Sequence, residues 1–139
     1  MSEQNHKGMA TRVERINPCI TVGDVDASVA YYSIVLGFKR YVETPTLGII
    51  EVDGHQIHLI KRIQGDNPDQ VWIGVEDITL LYEQYKASGA QIRQEPTNYS
   101  WAYQMVVEDL DGNLLTFGSG PIDGLPFQDL ATAQRPINK

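Results

Sequence analysis

Apolar and polar positions along the chain fall into two runs of the same order. Residues 15 to 22 alternate as a strand. Asp24 and Asp26 then offer N-caps for a helix over 27 to 36, where Val29, Tyr32 and Leu36 share one face and Gly37 suits the left-handed stop. Three strand-like runs follow, at 38–43, 47–52 and 56–62, with Asp53-Gly54 as a tight-hairpin signal between the last two. After a polar linker at 63–69 the order returns. A strand runs over 70–76, a helix over 79–88 carries Leu81, Tyr82 and Tyr85 on its apolar face before Gly89, and strands follow at 90–95, 101–108 and 113–118, with Asp111-Gly112 again at a hairpin.

The repetition extends to residues. Ile20-Thr-Val-Gly-Asp24-Val25 reappears as Ile73-Gly-Val-Glu-Asp77-Ile78, an offset of 53 (20 to 73), and Asp53-Gly54 reappears as Asp111-Gly112, an offset of 58 (53 to 111). A period near 50 residues means two copies of one supersecondary unit. Each copy reads strand, helix, strand, strand, strand, an α+β arrangement. Two curved half-sheets enclose a hollow that neither closes alone, so the repeat points to a pocket. The expected organisation is an N-terminal tail over 1–14, one domain of two units (15–62 and 70–119), and a proline-bearing arm over 120–139 whose Leu125, Phe127 and Leu130 are fit to anchor it.

Composition narrows the classes. The 139 residues suffice for one core, and no apolar run approaches the roughly 20 residues of a membrane span. The opening Met1–Gly8 lacks the apolar core of a signal peptide, and the single cysteine, Cys19, fits a reducing cytoplasm. Cys19 stands in an apolar strand and reads as a buried, inert thiol. A net charge of −7 argues against nucleic acid; it is compatible with a cationic small molecule, though acidity of this kind is first a solubility device. No Gly-x-Ser-x-Gly elbow, phosphate loop or dinucleotide fingerprint is present.

Alternation puts Gln56, His58 and Ile60 on one strand face, and Gln70, Trp72 and Gly74 together on another, with Leu114, Thr116 and Gly118 on the face matching His58. Small residues beside a large flat one leave room for an organic ring. Trp72 reads equally as stacking wall or core. Trp101 and Tyr103 follow a turn-rich stretch and read as ligand or dimer contacts, and Tyr99 as surface. His58 alone reads more readily as a hydrogen-bonded structural residue than as a ligand. Glu51 reads as solvated, and Glu108, Asp109 and Asp111 as turn chemistry.

The segments Val22-Gly-Asp24-Val-Asp-Ala-Ser28, Tyr31-Tyr32 with Leu36-Gly37-Phe38, Val75-Glu-Asp77 and Val107-Glu-Asp109-Leu-Asp111-Gly112-Asn113-Leu114 resemble the vicinal oxygen chelate superfamily. That group includes glyoxalase I, ring-cleaving dioxygenases, fosfomycin-modifying enzymes and bleomycin resistance proteins. The resemblance implies paired βαβββ modules in an open barrel-like sheet, and a homodimer, often with modules paired across chains. It also implies metal-ligand positions on the first and last strand of each module, aligned here with Asn17, His58, Gln70 and Thr116. His and Glu are usual there. One imidazole, two amides and a hydroxyl hold a divalent metal weakly, so neither cofactor nor metal is expected, and enzymatic activity is not the favoured reading.

The strands at 56–62 and 70–77 are most similar to the bleomycin resistance branch. The function this implies is metal-free capture of an aromatic, cationic small molecule by a cytoplasmic homodimer. Its ligand residues would be Trp72, His58, Gln70, Asn17, Thr116, Trp101 and Tyr103. The alternative is a metal-dependent glyoxalase-like lyase or isomerase, or an extradiol-type dioxygenase, of the same fold. No nucleic-acid or membrane partner is expected.

Overall fold

The computed structural model describes residues 8–128. The tail expected over 1–14 and the arm expected over 120–139 therefore lie partly outside the described residues, as does Leu130. The described chain holds β1 (Cys19–Val22), α1 (Val25–Ala30) running into a π-helical turn (Tyr31–Val35), β2 (Lys39–Glu43), β3 (Leu47–Val52) and β4 (His55–Lys61). After the linker come β5 (Gln70–Gly74), α2 (Ile78–Ser88), β6 (Gln91–Asn98), β7 (Tyr103–Glu108) and β8 (Leu114–Ser119). The strands form two four-stranded sheets, β1-β4-β3-β2 and β5-β8-β7-β6, each with one parallel pair, β1 with β4 and β5 with β8. These are the two βαβββ units anticipated from the repeat, and the sheets are not closed into a barrel.

Local chemistry explains the boundaries. Asp24 Oδ1 accepts from the Ala27 N–H and Asp77 Oδ1 from the Leu80 N–H, so each helix starts on an aspartate cap. Gly89 ends α2 at φ 88°, the left-handed stop. Asp53 and Gly54 both take positive φ, 49° and 83°, as a two-residue hairpin of the twist-matched kind requires. The first strand is shorter than the expected 15–22 because Pro18 has no N–H to give the ladder; its carbonyl still accepts from the His58 N–H. The first helix departs from one continuous α-helix over 27–36. From Tyr31 the turn widens, Leu36 N–H donating to Tyr31 O, and both Tyr31 and Tyr32 reach the β7–β8 connection.

Each sheet buries one face under its helix. Ile20, Val22, Ile50, Ile57 and Leu59 join Val25, Val29 and Tyr32 in the core, and Met105, Val107, Leu115 and Phe117 join Ile78 and Tyr85. Gly48 lies so close to Val29 that a Cβ there would stand 2.7 Å from its Cγ2. Cys19 corrects its expectation: it is exposed. In the sequence Cys-Ile-Thr-Val the helix side takes Ile20 and Val22, so period two sends Cys19 and Thr21 to the opposite face.

The two units meet along a seam between β1 and β5. At one end polar groups tie it. Thr21 N–H donates to Asp69 Oδ2 at 2.9 Å, Asn113 Nδ2 to Thr21 O at 2.8 Å, and Gly23 N–H to Asp111 Oδ1 at 3.0 Å. The Tyr32 hydroxyl donates to Asp109 Oδ2 at 2.8 Å; burial, then the charge of Asp109, holds that phenol well above its ordinary range. The Tyr85 hydroxyl donates to Leu36 O and Ser88 Oγ to Val35 O, so the helices lie on one side of the seam. Both helix-free faces therefore lie on the other.

Candidate functional site

The helix-free face of the second sheet carries flat rings. β5 pairs with β8 so that Trp72 stands opposite Thr116 and Gly74 opposite Gly118. With no side chain at 118 or 74, the indole of Trp72 lies across both: a Cβ at Gly118 would stand 2.6 Å from its Cζ2, and one at Gly74 3.1 Å from its Cζ3. The ring is held there by a bond. Trp72 Nε1 donates to Gln104 Oε1 at 3.1 Å, and Trp101 Nε1 donates to the same oxygen at 3.3 Å. One carbonyl oxygen, on a side chain almost fully buried, thus fixes both indoles. Yet the rings are open to solvent, Trp72 at 55% and Trp101 at 47% exposure.

Tyr99 backs this pair. Its ring stacks on Trp101 with centroids 4.9 Å apart and planes 9° from parallel, and Gln94 Nε2 donates to its hydroxyl at 3.0 Å. The expectation that Tyr99 lies on the surface is overturned: it is fully buried. Trp101 covers one side of it, and the Tyr99–Ala102 turn closes on itself by backbone bonds. Tyr103 faces the other way; it is half-buried against the core cluster, and in register with Asn98 and Ser119.

The helix-free face of the first sheet mixes polar groups with Leu47, Ile49 and Ile60. Ile49 stands opposite His58 and Glu51 opposite Gln56, whose Nε2 donates to Glu51 Oε1 at 3.5 Å. Glu51, expected to be solvated, is half-buried on the same face as His58. Cys19 is the neighbour of His58 across the parallel pair, as Trp72 is of Thr116. Asn17 and Gln70 lie two residues ahead of Cys19 and Trp72; Gln70 is exposed opposite Leu114, and Asn17 is half-buried before β1.

The structure thus gathers Trp72, Thr116 and Trp101 around Gln104 on one sheet, and puts His58 on the other. Gln104 went unnoticed in the sequence. Its signal was a lone amide at an inward position of an otherwise apolar strand, Tyr103-Gln-Met-Val-Val.

A divalent metal does not fit these residues. The four family positions offer one imidazole and no carboxylate, and among the described residues no three His, Cys, Asp or Glu side chains converge as an ion-binding group.

The sequence profile of the glyoxalase/bleomycin resistance protein/dioxygenase superfamily matches residues 12–117. The chain belongs to that superfamily. Its fold is similar to TioX from Micromonospora sp. ML1, with 21% identity, a TM-score of 0.68, and coverage of 78% of this chain and 99% of that one. It is also similar to TnmS3, an antibiotic binding protein from Streptomyces sp. CB03234, with 17% identity, a TM-score of 0.71, and coverage of 81% and 99%. A third is the bleomycin-binding protein from bleomycin-producing Streptomyces verticillus, complexed with copper(II)-bleomycin, with 21% identity, a TM-score of 0.65, and coverage of 79% and 98%. At these identities the shared property is the fold. No curated protein sequence matches the chain closely enough to count as a relative. No helix among the described residues is long and apolar enough to cross a membrane.

Proposed function

We propose that the protein is a metal-free binder of a flat aromatic small molecule, an antibiotic of the kind its structural neighbours bind, and that it releases this ligand unchanged. The observation that carries the reading is the pair of exposed indoles pinned through their N–H groups to Gln104 Oε1. An exposed tryptophan is ordinarily free to rotate; here two are fixed before any ligand arrives, so little side-chain freedom is lost on stacking. Burying apolar ring surface against them contributes about 25 cal/mol per Å² before the costs of association.

In this reading Trp72 and Trp101 form the stacking surface. Thr116 and Gln70, flanking Trp72 on the same strands, orient polar groups of the ligand. His58 and Asn17 do so from the first module, where Glu51 supplies the countercharge that a cationic guest needs. Tyr103 points into the core face and supports the strand rather than touching ligand. The working form is a cytoplasmic homodimer, which would place a second polar or aromatic face over each open one.

The test is a titration of tryptophan emission with aromatic antibiotics, bleomycin among them, in chelator-treated buffer. Saturable quenching in the native protein, weakened by about tenfold or more in Trp72→Ala, with the compound recovered unaltered by mass spectrometry, supports the reading. Binding that needs an added metal, or conversion of the compound, contradicts it.

A further inference from the structure

The two modules are unequal where they meet, and the inequality leaves a hollow. In the second module the β7–β8 connection runs from Asp109 to Asn113 and plugs one end of the seam, with Asp109 on the Tyr32 hydroxyl and Asn113 on Thr21 O. The matching β3–β4 connection is only Asp53 and Gly54. Tyr85 is the counterpart of Tyr32 by the offset of 53 (32 to 85), but its hydroxyl turns to Leu36 O at 2.7 Å. Beside it a cavity of about 460 Å³ opens between the modules, lined by Leu36, Val52, Ile57, Ile73, Leu81 and Phe117. That volume lies within the range of small-molecule sites.

One wall of this cavity is the outer edge of β5. In a parallel pair the residues of one strand turn their backbone groups alternately toward and away from the neighbour. Val75 N–H donates to Gly118 O and Asp69 O accepts from Leu114 N–H, so the odd-numbered residues face β8. Gln70, Trp72 and Gly74 turn their N–H and C=O outward, and among the described residues no backbone group pairs with them there. Trp72 and Gly74 both line the hollow. Pro18, which lines the opposite rim, turns its C=O away from them to the His58 N–H. A donor and an acceptor left unpaired amid apolar walls call for a guest with a hydrogen-bonding group of its own.

We propose that this seam cavity is a second binding site, for a neutral and chiefly apolar small molecule bearing a secondary amide or lactam, whose N–H donates to the C=O of Trp72. No lysine or arginine lines the cavity, so a carboxylate has no partner there, and the titratable groups that line it are Asp53, His55 and Tyr85. A peptide strand running on along β5 is blocked, because Thr21 closes the seam on Asp69 at its far end. The site lies apart from the aromatic face of the proposed function except at Trp72, and it stands or falls independently.

The probes are benzanilide, a secondary amide between two flat rings, and phenyl benzoate, its ester counterpart without the N–H. Each is titrated into the full-length protein by calorimetry and by amide correlation spectra. Benzanilide is expected to bind saturably and to shift the backbone resonances of Trp72 and Gly74, while the ester binds about tenfold more weakly for want of one buried donor. Leu81→Trp, which fills the hollow, is expected to weaken benzanilide by about tenfold or more; Val52→Phe at the rim does the same if Leu81→Trp lowers the melting temperature. Trp101→Ala leaves benzanilide binding intact while weakening ligands of the aromatic face, so failure at one site is distinguishable from failure at the other. Absence of saturable benzanilide binding overturns the proposal, as do equal affinities for amide and ester. Shifts confined to Gln104 and Thr116, or a dimer whose contact covers Ile73 and Leu81, overturn it too.

Discussion

The six-membered ring of Trp72 occupies the space that a side chain at Gly118 would need, Cζ2 lying 2.6 Å from where a Cβ would stand. The contact is with a ring held by its own hydrogen bond, so it cannot be relieved by a small shift. Gly118→Ala is therefore expected to lift the indole off the sheet and break its bond to Gln104. Affinity for the aromatic ligand should fall about tenfold, a loss of roughly 1.4 kcal/mol, with the helix signal in circular dichroism unchanged. Fluorescence titration of the variant checks this.

Gln104→Leu removes the shared acceptor while keeping a side chain of similar length. Both indole N–H groups then lose their partner, and the rings regain rotation. The expected result is a stability loss of about 1–2 kcal/mol in urea, since both indoles are half-exposed and water replaces part of the bond. Time-resolved anisotropy of the tryptophans should show faster local motion. An unchanged anisotropy decay would mean that packing, rather than Gln104, fixes the rings.

Tyr32 and Tyr85 hold equivalent places but bond to different acceptors, a carboxylate of Asp109 at 2.8 Å and a backbone carbonyl of Leu36 at 2.7 Å. A bond to a charged group is worth more, and its loss leaves a buried carboxylate short of a donor. Tyr32→Phe is expected to cost about 1.5–3 kcal/mol and Tyr85→Phe about 0.5–1.5. Parallel urea melts read the order directly.

Alkaline pH should unfold the protein through these same tyrosines. Burial raises both phenols above the ordinary value of 10.0, Tyr32 further because of Asp109. Their contribution is complete below the unfolded-state value near 10. Above it the unfolded chain loses protons that the folded chain keeps, and stability falls by about 1.4 kcal/mol per pH unit for each tyrosine. Absorbance at the phenolate band should rise in a cooperative step, coincident with loss of helix, as Tyr32 and Tyr85 ionise.

Much of this architecture was legible in the chain. The Asp24 cap, Gly89 and the Asp53-Gly54 turn act within a few residues, and alternation alone places Trp72 beside Gly74. What stayed hidden depends on contacts across the seam. Asp109 looks like a turn residue, and it does accept from the Asp111 and Asn113 N–H groups; nothing near it in sequence announces Tyr32, 77 positions away. Cys19 was misjudged because four residues rich in apolar character hid a period of two. Tyr99 was misjudged because a turn-rich stretch says where the backbone bends, not which ring another ring will cover.

The central claim, that two fixed indoles capture a flat ligand without a metal, is tested most directly by one titration. The native protein and its Trp72→Ala and Trp101→Ala variants are treated with chelator and titrated with the antibiotic panel under tryptophan emission. The account predicts saturable quenching at one ligand per aromatic face in the native protein, and affinity lower by about tenfold or more in each variant. Equal affinity in all three proteins, or binding that appears only when a divalent metal is restored, would contradict it.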